Sequence, residues 1–347
     1  MAQEGRCMSE GKQEEIRVVV AADFSDRLIE QLQSVSDRLM IERRFPDVPA
    51  SAYAEAEVLY SIRHFPEPSQ APRLRWIQLH FAGMDRVVDK PIVQAEDVEV
   101  TSASGIHAVP IAEYCLSMML AWEYQLPKLL TLKASVEWPQ NQYEIFRPHG
   151  LRGKTLGIAG YGSIGRELAR LAHEMGMSVV ATRRNLRGSM EDEGYMEPHT
   201  GDPTGDIPDR LYPPEATASM ASVCDYLVVA VPLTPETHHL INEAVLSKMK
   251  STAVLINVAR GEVIDEAALI SALAAEKIGG ASLDVFEQEP LPPTSPLWNL
   301  DNVIISPHIA GNNTRYHERA AALFAENLRR YVENQPLLNR LDRQRGY

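Results

Sequence analysis

The chain has 347 residues, of which 45% are hydrophobic and 23% charged, and its formal net charge is −13. That length implies two domains of roughly 100–200 residues each. So acidic a chain is a poor generic nucleic-acid binder, and no apolar run reaches the ~18 residues that a membrane span needs, so neither nucleic acid nor membrane is an expected partner.

Met1 to Glu15 is polar and acidic, lacks the basic-then-apolar layout of a signal peptide, and reads as a frayed tail. Residues 17–22 (RVVVAA), 56–61 (AEVLYS), 76–81 (WIQLHF) and 98–102 (VEVTS) are short apolar runs fit for buried parallel strands. Residues 25–39 are helical in pattern and supply a crossover, which makes this first block a small open α/β domain. A long helix, from Val109 to about Lys133, starts with Pro110 in its first turn, where a missing N–H costs nothing. Ile111, Cys115, Met118 and Trp122 mark one of its faces, and Pro127 and Pro139 make the later part irregular.

The second block starts near Gly150 and offers six strand candidates: 155–160 (TLGIAG), 178–182 (SVVAT), 225–231 (DYLVVAV), 253–259 (AVLINVA), 280–286 (GASLDVF) and 302–307 (NVIISP). Helical stretches separate most of them, as in a doubly wound sheet. Residues 187–214, rich in Gly, Pro, Asp and Glu, interrupt the pattern and read as a solvated surface insertion or long loop. Residues 315–333 form a terminal amphipathic helix. Cys7, Cys115 and Cys224 are an odd set with no metal-ligand spacing. They point to a reducing, cytoplasmic setting rather than a disulfide framework; Cys115 and Cys224 read as core filler, and no metal site is expected.

Gly160-Tyr161-Gly162-Ser163-Ile164-Gly165 matches the G-x-G-x-x-G fingerprint, and it follows an apolar strand and opens a helix, the context that gives the pattern meaning. Gly160 permits the tight turn, Gly162 lets the backbone approach a pyrophosphate, and Gly165 allows close helix–strand packing. The N–H groups from Ser163 and Ile164 onward and the positive helix end then face the phosphates. The next strand ends in Thr182-Arg183-Arg184, where NAD-preferring sites usually place an acid on the ribose 2′-hydroxyl. An arginine fork there suits a 2′-phosphate, so NADP(H) is favoured as cofactor, with NAD(H) possible.

At these residues the chain resembles the D-isomer-specific 2-hydroxyacid dehydrogenase family, from about Val18 to Tyr347. The motifs that carry the resemblance come in family order: Phe81-Ala82-Gly83-Met84-Asp85, Ile111-Ala112-Glu113, the glycine fingerprint, Val231-Pro232-Leu233-Thr234-Pro235-Glu236-Thr237, Asn257-Val258-Ala259-Arg260-Gly261, Asp284-Val285-Phe286-Glu287-Gln288-Glu289-Pro290, and Pro307-His308-Ile309-Ala310-Gly311. The resemblance implies a Rossmann-type cofactor domain (residues 104–312) and a smaller flavodoxin-like substrate domain (residues 1–103 and 313–347). The chain would cross between them near residues 102–105 and 311–314, with hinge closure on binding.

The resemblance also implies three catalytic residues, Arg260, Glu289 and His308, and the chemistry asks for these types. Oxidising a secondary alcohol needs a base that works near neutral pH, for which histidine is suited. Glu289 would orient the His308 ring, and Arg260 would fork onto the substrate carboxylate and polarise the carbonyl at carbon 2. Ala82 and Gly83 would offer backbone N–H groups to that carboxylate, and Arg63, in the loop 61–64, would line the pocket. Asp284 would bond the nicotinamide carboxamide, while Val231, Pro232, Thr237, Val258, Ala259 and Gly311 would shape the cofactor site. His107 departs from the commoner family residue in its segment and would touch substrate or nicotinamide. Trp138 falls where some relatives place a pocket aromatic from the neighbouring subunit. A homodimer is expected through the helix from Val109, with Met118, Met119 and Trp122 at the contact.

The function these implications favour is NADPH-dependent reduction of a small 2-keto acid such as glyoxylate or hydroxypyruvate. Oxidation of another small anion, formate or phosphite, is a second reading. A third is a cofactor-sensing corepressor, against which the intact Arg260, Glu289 and His308 set argues.

Overall fold

The computed structural model describes residues 14–186 and 194–343, so the expected tail up to residue 13, Cys7 and residues 187–193 of the expected insertion lie outside the described residues. The chain divides into two compact units, Met1–Ala103 with His317–Arg343 and Ser104–Tyr316. The return to the first unit falls between Tyr316 and His317, a few residues beyond the expected 311–314.

The first unit runs β1 (Ile16–Ala21), α1 (Asp26–Gln33), β2 (Leu39–Arg43), α2 (Ala50–Glu55), β3 (Val58–Ser61), β4 (Trp76–Leu79), α3 (Pro91–Gln94) and β5 (Glu99–Thr101). Its sheet is parallel throughout, in the order β2-β1-β3-β4-β5, the flavodoxin-like arrangement. Strands β3 and β4 are buried at every position, which is why they read as largely apolar runs. The sequence reading missed β2. The helix expected over 25–39 stops at Gln33, and Leu39–Arg43 pairs with β1 at the sheet edge. Only Leu39 of that strand is buried, so its pattern carries no strong strand signal.

The second unit contains α4 (Ala108–Glu123), α5 (Leu126–Ser135), α6 (Gln142–Ile145), β6 (Thr155–Ala159), α7 (Ser163–Glu174), β7 (Ser178–Thr182), β8 (Arg210–Tyr212), α8 (Thr217–Ala221), β9 (Tyr226–Val229), α9 (Glu243–Leu246), β10 (Val254–Asn257), α10 (Glu266–Ala274), β11 (Gly280–Leu283) and β12 (Val303–Ile305). Its sheet has seven parallel strands in the order β12-β11-β10-β9-β6-β7-β8, which is doubly wound about β6. The expected six strands are all present, and β8 is added from within the segment read as a solvated loop. Gly201 and Asp202 of that segment are buried as well.

The long helix expected from Val109 is two helices, because Gln125 adopts φ 49° between α4 and α5. Met119 is fully buried, and the Trp122 indole N–H donates to Ser282 Oγ at 2.9 Å. Met119 is thus packed inside its own unit, while Trp122 is half-buried there.

The last helix, α11 (Tyr316–Val332), starts at the unit boundary and lies against the first sheet. Phe324 packs 4.8 Å from the Tyr60 ring, Tyr331 stacks on Trp76 at 5.4 Å, and Asn327 Nδ2 donates to Gln78 Oε1 at 3.0 Å.

Candidate active site

Strand β6 is followed directly by Gly160, whose φ of 104° suits glycine. A Cβ there would stand 2.8 Å from the Ala230 carbonyl oxygen, and one at Gly165 only 2.4 Å from the Gly160 oxygen, so the turn and α7 sit tightly on the sheet. At Gly162, the N-cap of α7, a Cβ would meet nothing within 4 Å. A glycine turn thus leaves open space in front of a twelve-residue helix, a cradle that suits a pyrophosphate. Thr182 braces the turn: its Oγ1 accepts from Gly160 N–H at 3.1 Å and its carbonyl from Tyr161 N–H at 3.0 Å.

Around this turn the other expected cofactor residues take distinct places. Val231 abuts Gly160, since a Cβ on the glycine would lie 2.9 Å from Val231 Cγ1. Thr237 donates to the Pro232 carbonyl at 2.6 Å and folds the following turn. Val258 and Ala259 are buried. Arg183 is buried, with its N–H on the Tyr212 carbonyl at 2.9 Å, whereas Arg184 is exposed. The Glu236 carboxyl is held below its ordinary range, chiefly by a hydrogen bond from Thr234, with the Arg184 charge contributing.

The three expected catalytic residues sit in turns after β10, β11 and β12. Asn257 shapes the first turn: its Nδ2 donates to the Arg260 carbonyl at 3.0 Å and its Oδ1 accepts from Ala259 N–H at 3.1 Å. Arg260 Nη1 donates to the Ala259 carbonyl at 2.8 Å. Gly261 lies directly on the β11 turn, where a Cβ would fall 1.8 Å from the Phe286 carbonyl carbon. That contact sets the backbone carrying Arg260 against the backbone leading to Glu289. Glu289 Oε1 accepts from Phe286 N–H at 3.3 Å, and its Oε2 lies 2.8 Å from His308 Nδ1. A carboxylate can only accept, so Nδ1 carries the proton and Nε2 is left for other chemistry.

His308 has φ 54°, a strained conformation for a non-glycine residue and one that surrounding contacts must enforce. Asp284 supplies them. Its carbonyl accepts from His308 N–H at 2.8 Å, and its buried carboxylate accepts from Ser306 Oγ at 2.5 Å, Ile309 N–H at 2.9 Å and Ala310 N–H at 2.8 Å. Any nicotinamide contact by Asp284 would share those oxygens. Tyr114 OH lies 2.6 Å from Ser306 Oγ and extends the brace to α4. Gly311 faces His107, whose Cδ2 would be 2.9 Å from an added Cβ, and His107 Nε2 lies 3.1 Å from Tyr316 OH.

In the first unit, the loops after β3 and β4 are neighbours, since His80 N–H donates to the Ser61 carbonyl at 2.9 Å. Ser61 Oγ accepts from His64 N–H at 2.9 Å and so closes the turn that holds Arg63, which is exposed. Ala82 and Gly83 follow at the end of β4, half-buried. The bracing roles of Asn257, Gly261, Asp284, Ser306 and Tyr114 were not anticipated, although the first three stand inside motifs the sequence displayed.

Residues 116–310 match the family model described as D-isomer specific 2-hydroxyacid dehydrogenase, NAD binding domain. The chain belongs to that family. A glyoxylate reductase of Thermofilum pendens is 36% identical over 260 residues, which is 74% of this chain and 72% of that protein. A glyoxylate reductase of Thermococcus gammatolerans is 36% identical over 262 residues, covering 74% and 73%. Among solved structures, a D-isomer specific 2-hydroxyacid dehydrogenase from Xanthobacter autotrophicus in complex with NADPH and MES superposes with a TM-score of 0.77 at 28% identity, over 96% of this chain and 100% of that one. An NADPH-dependent glyoxylate/hydroxypyruvate reductase from Sinorhizobium meliloti, in complex with NADP and sulfate, gives 0.75 at 25% identity, over 96% and 100%.

As a D-2-hydroxyacid dehydrogenase the protein is an oxidoreductase that acts on a CH–OH group with a nicotinamide cofactor. The open glycine cradle at the head of α7 fits such a cofactor. Among the described residues no group of three or more His, Cys, Asp and Glu could hold a metal ion, and no helix is long and apolar enough to cross a membrane.

Proposed function

We propose that the protein is an NADPH-dependent reductase of small 2-keto acids of the glyoxylate or hydroxypyruvate kind. The observation that carries this reading is the His308–Glu289 pair at 2.8 Å, joined through the Gly261 contact to the turn that bears Arg260. Arg260 forks onto the substrate carboxylate and leans its charge on the carbon-2 carbonyl. His308 Nε2 gives a proton to that carbonyl oxygen as it becomes a hydroxyl, and Glu289 keeps the ring aimed through Nδ1. Reduced nicotinamide, when bound, supplies the hydride. Ala82 and Gly83 offer N–H groups to the carboxylate, and Arg63 lines the pocket. Residues 1–103 with 313–347 serve as the substrate domain and residues 104–312 as the cofactor domain.

A steady-state survey of glyoxylate, hydroxypyruvate and pyruvate with NADPH and NADH tests the reading. Turnover of the first two with NADPH is expected. Oxidation of formate or phosphite without turnover of any 2-keto acid would overturn it.

The preference for NADP(H) is carried by Arg183 and Arg184 at the end of β7. Replacing both by alanine should lower the NADPH/NADH ratio of kcat/KM by about tenfold or more, because a charge-assisted fork on the 2′-phosphate is lost. An unchanged ratio removes the arginine argument.

The protein acts as a homodimer in the cytoplasm, the latter supported by its two buried free thiols, Cys115 and Cys224. Helix α5 buries none of its residues, and Leu126, Leu129, Leu130, Val136, Trp138 and Tyr143 are all exposed, Trp138 to 81%. A second copy would cover this stripe and bring Trp138 toward its neighbour. Light scattering should give a dimer for the wild type and a monomer for the Leu129→Lys, Leu130→Lys double variant. A wild-type monomer at micromolar concentration contradicts the proposal.

A further inference from the structure

In the connection from β7 to β8, the described residues, 183–186 and 194–209, contain neither helix nor strand, yet residues 194–209 are firmly fastened. Glu167 of α7, buried and paired with Arg170 at 2.6 Å, accepts from Gly201 N–H at 2.6 Å. The buried Asp202 carboxylate accepts from the N–H groups of Gly205 at 3.0 Å, Asp206 at 3.3 Å and Ile207 at 3.2 Å. It also takes a 2.6 Å bond from the hydroxyl of Tyr161. Earlier in the segment, Tyr195 presses on Gly105, where a Cβ would lie 2.1 Å from the Tyr195 carbonyl oxygen.

Tyr161 is the residue between Gly160 and Gly162 in the phosphate-binding turn. Burial, then the Asp202 acceptor, hold its phenol well above the ordinary range, so it remains a donor at any working pH. Arg166 and Arg183 act on the same phenol by their charge, which offsets the carboxylate beside a turn that must receive an anion. A turn framed by two glycines loses much freedom when a ligand orders it. An anchor on its middle residue removes that freedom beforehand, and affinity rises by what ordering would otherwise have cost.

We propose that residues 194–209 form a clasp on the phosphate-binding turn, and that Asp202, acting through the Tyr161 hydroxyl, is a positioning residue for the dinucleotide. The proposal rests on the nicotinamide-cofactor reading of the same turn. The anchor touches the turn and not the ribose, so it supports NADPH and NADH alike, unlike the arginines at the end of β7.

Titration of Tyr161→Phe, Asp202→Asn and the double variant with NADPH and with NADH, followed by energy transfer from protein tryptophan to the reduced nicotinamide, tests it. Each single variant should raise Kd for both nucleotides about tenfold, the scale of a lost hydrogen bond to a charged group, without changing their ratio. The double variant should bind no worse than the weaker-binding single, because the Tyr161–Asp202 bond is already lost in each. In turnover, KM for NADPH should rise while kcat at saturation stays within about twofold, the mark of lost uniform binding. Tyr161→Phe keeps the buried ring, so it reports even if Asp202→Asn unfolds. Unchanged Kd in Tyr161→Phe, or additive losses in the double variant, overturns the clasp. A wild-type protein that binds neither nucleotide instead overturns the cofactor reading on which the clasp depends.

Discussion

His308→Ala should lower kcat for 2-keto acid reduction by about 10²–10⁴-fold, the usual worth of a positioned general acid, while leaving Kd for NADPH unchanged. The imidazole is tied to Glu289 on Nδ1 and held in a left-handed backbone conformation by the Asp284 staple. Its loss would remove the proposed proton donor and leave the glycine cradle after β6 and at the head of α7 intact. Glu289→Gln should cost less, because an amide still accepts from Phe286 N–H, though it meets Nδ1 less favourably. Rapid-mixing turnover and a fluorescence titration on the same preparations decide the matter. A His308→Ala enzyme that turns over within a few-fold of wild type would remove the proton-transfer role.

Arg260→Ala should raise KM for the keto acid and lower kcat together, with kcat/KM falling by about 10³-fold. In the proposed mechanism one guanidinium both holds the carboxylate and stabilises charge growing on the carbonyl oxygen, and a single such donor is commonly worth 10²–10³ in kcat. Arg260→Lys should recover only a small part, since a point charge does not reproduce the planar fork. The turn itself should survive both changes: Asn257 grips the Arg260 carbonyl, and Gly261 sits against Phe286, neither through the arginine side chain. A split in which KM rises and kcat stays unchanged would confine Arg260 to substrate binding.

Much of this was legible in the sequence because buried parallel strands and the glycine turn leave local marks. The runs that became β3, β4 and β9 are buried at every position and mostly apolar, with only Ser61 closing β3 and Gln78 inside β4 as exceptions. The fingerprint stands out because Gly160 and Gly165 answer steric demands that no side chain meets. Elements at sheet edges were lost. Strand β2 exposes most of its residues, and β8 has only three, one of them buried. The break at Gln125 was hidden because an ordinary residue takes the left-handed turn there, with no glycine to announce it. Asp202 was hidden for a different reason. A buried carboxylate in a Gly- and Pro-rich segment looks solvated until its donors, the distant Tyr161 hydroxyl and the backbone amides of Gly205, Asp206 and Ile207, are seen to converge on it. The staple by Asp284 likewise depends on backbone N–H groups, which no residue type reveals.

The discontinuity of the first unit has a consequence for biosynthesis. Tyr60 and Trp76 emerge from the ribosome early, but the side chains that cover them, Phe324 and Tyr331, belong to α11. All of Ser104–Tyr316 must be translated in between. The nascent sheet therefore shows an aromatic face to solvent for most of elongation, while the contiguous second unit has every strand it needs. Chaperone engagement should concentrate on the first hundred residues, and stalled chains ending before α11 should be the aggregation-prone species.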